Sequence, residues 1–170
     1  SRVRPMFLST IMTELTAHAR AADLTGVKQL RDRIARIAAE SKYWRPAQLL
    51  ADAMYQRLCG QLEAACRDSE ACIGLSEIDP DEPARVPQFW LPAVAGLIET
   101  WVERGLHEAG RELGTRVLAK CVRLEIDAPS QEVSRALALA HAKLGDIEAA
   151  VALMDQDTAL HCACSRMSCE

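Results

Sequence analysis

Four short interruptions in an otherwise helical pattern constrain this chain more than any other feature. They fall at Ala22-Asp23, Cys59-Gly60, Arg104-Gly105 and Leu144-Gly145-Asp146, each between two amphipathic stretches. Before the last break, Val133, Leu137, Ala140 and Leu144 recur at spacings of three and four, and Ser130 after Pro129 supplies a helix cap. Beyond it, Ile147, Ala150, Val151 and Met154 continue the period. The same alternation predicts helices over about 5–21, 23–40, 45–59, 61–75, 89–104 and 106–125. Eight helices then make four hairpins.

Composition agrees. The 28 alanines and 20 leucines are strong helix formers, while Phe, Trp and Tyr together make up 4% of the chain. A β-sandwich or barrel is excluded on those grounds. With 49% apolar and 26% charged residues among 170, the chain is able to bury a real core and is not a disordered tract. No apolar run approaches the ~18 residues of a membrane helix. A net charge of −4 argues against nucleic acid as the main partner, because phosphate binding needs a basic field.

Seven cysteines are an odd number, and Cys59, Cys66, Cys72 and Cys121 stand next to Ala and Leu in helical pattern, where free thiols pack as small hydrophobes. A reduced, cytoplasmic protein is the expectation. Arg2 and Arg4, the stretch Met6 to Met12, and Ala17-His18-Ala19 imitate a secretory leader, but Ser9 and Thr10 dilute the apolar segment and the same residues fit the helical pattern. The first residue is Ser1 rather than Met, so the chain reads as a piece of a longer protein. We divide it into a helical domain over 1–160 and a Cys-rich tail over 161–170. In that tail His161, Cys162, Cys164 and Cys169 lack the paired C-x2-C hooks of a zinc knuckle, and no metal site is assigned. From Ser76 to Gln88, four carboxylates alternate with Pro80, Pro83 and Pro87, a pattern of a solvated connector without the turn glycine of a calcium loop.

Aligning the breaks exposes a common frame. His18, Tyr55, Trp101 and His141 precede the breaks, and Val27, Ala64, Gly110 and Ala150 follow nine residues later in every hairpin. A further seven residues on stand Ile34, Ala71, Val117 and Asp157. The bulky residue fills the space between antiparallel helices, and the small one permits a close crossing. This pattern resembles the tetratricopeptide repeat over about residues 6–158. Leu137-Ala138, His141, Gly145-Asp146 and Ala150 match best; Leu97-Ile98, Trp101, Gly105 and Gly110 follow; Tyr55, Ala64 and Ala71 match with Gly60 one place late. The successive intervals, Val27 to Ala64, Ala64 to Gly110 and Gly110 to Ala150, are 37, 46 and 40 residues, longer than the family's usual ~34. The resemblance implies an α-α superhelix, non-enzymatic binding of a peptide or partner domain, and kinship with repeat segments of large bacterial signalling and transcription regulators.

Motifs of catalysis are lacking. His107-Glu108 opens like a zinc-protease helix, but Arg111 stands where the second histidine belongs. No glycine-rich phosphate loop follows a strand, so no cofactor is expected; Gly110 and Gly114 read as packing positions. Lys28, Arg31, Arg33 and Arg36 read as a solvated helix face. In the repeat family the first helix of each hairpin faces the groove, notably two residues beyond the Tyr position. That places Arg20, Arg57, Glu103 and Lys143 in one row, with Gln56, Arg135 and Leu139 nearby, as contacts for a carboxylate-bearing peptide. Trp44, Phe89 and Trp90 read as packing residues at helix starts, Phe89-Trp90 being the first place to seek a hot spot. Self-association through the terminal hairpin, with Ala149, Val151 and Leu153 near an open end, is a further expectation. The competing reading is a compact helical bundle that encloses a small-molecule pocket, as in effector domains of bacterial regulators.

Overall fold

The computed structural model describes residues 3–77, 87–124, 126 and 131–155. The tail over 161–170, Asp157 and most of the acidic connector lie outside them. The described residues are all-helical, with no strand among them: α1 Val3–Arg20, α2 Leu24–Glu40, a 3-10 turn Lys42–Trp44, α3 Arg45–Leu58, α4 Leu62–Ser76, α5 Pro87–Glu103, α6 His107–Arg123, α7 Gln131–Lys143, and α8 over 147–155. Pro46 sits in the first turn of α3 and Pro87 opens α5, where a missing N–H costs nothing. The Met6–Met12 stretch belongs to α1.

The chain divides into two compact units, Ser1–Gly96 and Leu97–Glu170. In the first, α2 packs on both α1 and α3, and α3 packs on α4. Ile11, Leu15, Val27, Ile34, Leu50 and Cys72 are buried there, joined by Phe89 and Ala93 from the start of α5. Each fully buried Leu or Ile contributes about 1.5–3 kcal/mol. In the second unit α6 packs on α7, and two glycines set the approach. A β-carbon at Gly114 would stand 3.0 Å from Leu137 Cδ1, and one at Gly110 3.3 Å from Ile98 Cγ2. The packing role read for these glycines in the sequence is what they perform.

The four breaks share one backbone geometry. Ala22, Gly60, Gly105 and Gly145 have φ of 52°, 73°, 80° and 83°. The next residue's amide donates to a carbonyl five positions back in each case: Asp23 to His18 at 2.9 Å, Gln61 to Gln56 at 2.8 Å, Leu106 to Trp101 at 2.8 Å and Asp146 to His141 at 3.0 Å. That is the Schellman ending of a helix, and a new helix begins at once. Its first bonds also correspond: Val27 to Asp23, Ala65 to Gln61, Gly110 to Leu106 and Ala150 to Asp146.

This geometry moves one register. Counted from the left-handed residue, Gln56 rather than Tyr55 is the counterpart of His18, Trp101 and His141. Ala65 replaces Ala64 beside Val27, Gly110 and Ala150, and Cys72 replaces Ala71 beside Ile34 and Val117. Burial agrees: Ala65 and Cys72 are fully buried, whereas Ala64 is half-exposed and Ala71 exposed. The aromatic ring of Tyr55 suggested the wrong frame; the left-handed backbone at Gly60 sets the right one.

Candidate functional site

A concave surface lies wholly in the first unit. Ala35, Ala38 and Ala39 on α2, the Lys42-Tyr43 turn, Arg45, Pro46 and Gln48 on α3, Leu75 and Ser76 at the end of α4, and Phe89 surround an open groove of 810 Å³. It is made by three alanines at helical spacing, which keep the wall of α2 shallow, and by a 3-10 turn that swings the chain from α2 into α3. Trp44, in the same turn, is buried and anchors it, while Tyr43 is 60% exposed and Leu75 51% exposed. Exposed aromatic and aliphatic side chains beside a concavity are the anchoring material of interfaces. Lys42 and Arg45, both exposed, give it positive charge; the guanidinium of Arg45 donates to Gln48 Oε1 at 2.9 Å.

A separate polar network joins α2, α3 and α4. The Arg31 guanidinium lies 4.1 Å from the centre of the Tyr55 ring and donates to Asp32 Oδ1 at 2.7 Å, with Asp52 at 4.0 Å. Arg31 is therefore not simply solvated, as its basic run suggested. Gln56 Nε2 donates to Asp68 Oδ2 at 2.8 Å, and Gln56 Oε1 is buried with no hydrogen-bond partner. Burial, and then the nearby Asp68 carboxylate, push the Asp52 carboxyl above its ordinary range.

Among the residues anticipated as partner contacts, Arg20, Gln56 and Arg57 lie in the first unit and Glu103, Arg135, Leu139 and Lys143 in the second. Arg20, Glu103, Leu139 and Lys143 are exposed; Gln56, Arg57 and Arg135 are partly buried. Gln56 is occupied by Asp68. Arg20, Glu103 and Lys143 stand two places before the left-handed turn residue, whereas Arg57 stands three before it, so Leu58 is its counterpart in the row. Trp44, Phe89 and Trp90 are buried, with Phe89 reaching the groove wall. Cys66, Cys72 and Cys121 are buried and Cys59 is exposed, all four as free thiols. Glu108 is exposed and accepts from Arg111 Nε at 2.9 Å, whereas His107 is half-buried, its Nδ1 without a hydrogen-bond partner.

The groove itself was not anticipated. Its residues come from five elements, and the only local signal is Ala35, Ala38 and Ala39 ahead of Lys42-Tyr43 and Arg45-Pro46. Among the described residues there is no group of three metal-ligating side chains, and no helix long and apolar enough to cross a membrane. Comparison with protein-family models, curated proteins and solved structures gave no match.

Proposed function

We propose that this chain is a non-enzymatic interaction domain of tetratricopeptide-like helical hairpins that holds a peptide or a partner domain. The observation that carries the reading is the groove of the first unit, with Tyr43 and Leu75 exposed at its rim and Lys42 and Arg45 beside them. The recurrence of one turn geometry at four breaks supports the hairpin-repeat part of the proposal. An apolar segment flanked by carboxylates fits such a groove, its side chains meeting Tyr43, Leu75 and Phe89 and its acids meeting the two cations. Arg20 and Arg57 in the first unit, and Glu103 and Lys143 in the second, are retained as further candidate contacts, each pair within its own unit. A volume of 810 Å³ also falls in the ~300–1,000 Å³ range of small-molecule sites, which favours a small acidic ligand as the alternative.

A peptide array that varies apolar and acidic positions, followed by anisotropy titration of the best binder, tests this. Lys42→Glu with Arg45→Glu is expected to weaken binding by at least ~tenfold, the loss typical of hot-spot charges. If that double reversal leaves affinity unchanged while Arg57→Glu with Lys143→Glu abolishes it, the groove is not the site. If only small acidic molecules bind, the sensing alternative holds.

A further inference from the structure

Polar atoms in the wall of the first unit's groove are engaged with one another. Ser76 Oγ is buried there and donates to the Cys72 carbonyl at 2.6 Å. Cys72 Sγ donates to the Pro46 carbonyl at 3.2 Å, and Pro46 has no N–H to offer. Gln48 Oε1 accepts from the Arg45 guanidinium at 2.9 Å. Hydrocarbon makes up the rest of the wall: the methyls of Ala35, Ala38 and Ala39 on α2, with Leu75 from α4 and Phe89 from α5. Alanines at i, i+3 and i+4 share one helix face and form a smooth strip, without a recess that sorts one side chain from another. Positive charge is concentrated at one point of the rim. The Arg45 amide donates to the Lys42 carbonyl across the 3-10 turn, which brings the two residues together, and both are exposed. Among the described lining residues none is acidic.

We infer that the groove binds a long-chain carboxylic acid as a free monomer, its carboxylate held by Lys42 and Arg45 and its hydrocarbon chain lying along the three alanines. Charge complementarity selects the head group, and Gln48 keeps the Arg45 guanidinium in position for it. The tail fits because a methylene chain brings no hydrogen-bonding atom that the walls would leave unanswered. Size agrees, since 810 Å³ lies within the ~300–1,000 Å³ of small-molecule sites. The acid competes with a peptide for the same side chains, so an amphiphile regulates partner binding at this groove. The inference rests on the reading of the groove as the binding site, and not on the peptide.

The test uses the full chain and, as probe, a fluorescent conjugated octadecatetraenoic acid below its micelle-forming concentration. Saturable binding that tetradecanoate displaces is expected. Affinity is expected to rise from octanoate to tetradecanoate by up to ~fourfold per methylene, the ratio that burial of one CH₂ yields. Lys42→Glu with Arg45→Glu is expected to weaken tetradecanoate at least ~tenfold, and to leave uncharged tetradecanol within ~twofold. Ala39→Trp, a substitution at an exposed position of the wall, is expected to weaken both. Binding of the acid without binding of any array peptide removes the peptide reading and supports this inference. Peptide binding with no acid bound overturns the inference alone. Equal affinity for acid and alcohol, indifference of the acid to the double reversal, or sedimentation with phosphatidylglycerol vesicles without binding of free acid would also overturn it.

Discussion

His18 Nδ1 lies 2.8 Å from Asp23 Oδ2 across a left-handed turn, and His141 and Asp146 repeat the arrangement at 3.0 Å. In both turns the other carboxylate oxygen accepts an amide of the new helix, from Gly26 at 3.0 Å and from Ala149 at 3.3 Å. One aspartate thus caps the incoming helix and ties it to the end of the outgoing one. His-x4-Asp is the local sequence for it, and it stands in the first and last hairpins.

Gly26 is the companion of this tie. A β-carbon there would collide with the His18 ring and stand 2.6 Å from Asp23 Oδ2. Gly26→Ala is expected to destabilise the protein by about 1–3 kcal/mol, the usual cost of overpacking. In a His18→Ala background the cost is expected to shrink, because the ring contact is gone while the close approach to Asp23 Oδ2 remains. Denaturant unfolding of the four proteins of that cycle measures the coupling.

The two glycine environments in helices predict opposite signs. Gly114→Ala presses on Leu137 and Ile98 and is expected to cost about 1–3 kcal/mol. At Gly74, in α4, a β-carbon would find nothing within 4 Å, and Gly74→Ala is expected to stabilise by about 0.5–1 kcal/mol. Thermal unfolding separates the two.

The register of the second hairpin is tested by leucine. Ala65→Leu enters a fully buried site and is expected to cost about 1–3 kcal/mol. Ala64→Leu, one place earlier and half-exposed, is expected to stay within ~0.5 kcal/mol of the parent. Equal costs would restore the frame built on Tyr55.

Much of the architecture is legible from residue order, for reasons these positions make plain. Apolar residues at spacings of three and four locate the helices, and Gly105 and Gly145 mark left-handed turns that few other residues adopt. The pattern predicts a helix over 23–40 and α2 spans Leu24–Glu40; it predicts one over 106–125 and α6 spans His107–Arg123. Tyr55 misleads because ring size aligns what backbone conformation decides. Cys59, expected among packed thiols, is exposed because it ends α3 one residue before Gly60. The groove escapes a reading of the sequence because no single segment contains it; alanines signal only a shallow wall until α3, α4 and Phe89 stand opposite.

Two carboxylates should titrate with opposite effects on stability. The Gly26 amide, then His18, hold Asp23 below its ordinary 3.8, so its contribution is present above that value and is lost as pH falls through the lowered one. Burial and Asp68 hold Asp52 above 3.8, so its contribution is present below that value and is lost as pH rises through the raised one. Melting temperature followed against pH should fall more steeply on acidification in the parent than in Asp23→Asn. Asp52→Asn should gain relative stability at neutral pH.

Thiol reactivity should follow exposure. Cys72 is buried, its Sγ donates to the Pro46 carbonyl at 3.2 Å, and burial pushes its thiol up to about 12. Alkylation mapped by mass spectrometry is expected to mark Cys59 in the folded protein and Cys72 only after denaturation. Rapid native modification of Cys72 would mean that the wall shared by α3 and α4 opens.

Amide and methyl shift mapping by nuclear magnetic resonance, during titration with the acidic, apolar peptide chosen from the array, locates the bound segment directly. The groove reading predicts the largest changes at Ala38, Tyr43, Arg45 and Leu75. Changes gathered instead around Arg20 and Arg57, or around Glu103 and Lys143, with the groove residues silent, would contradict it.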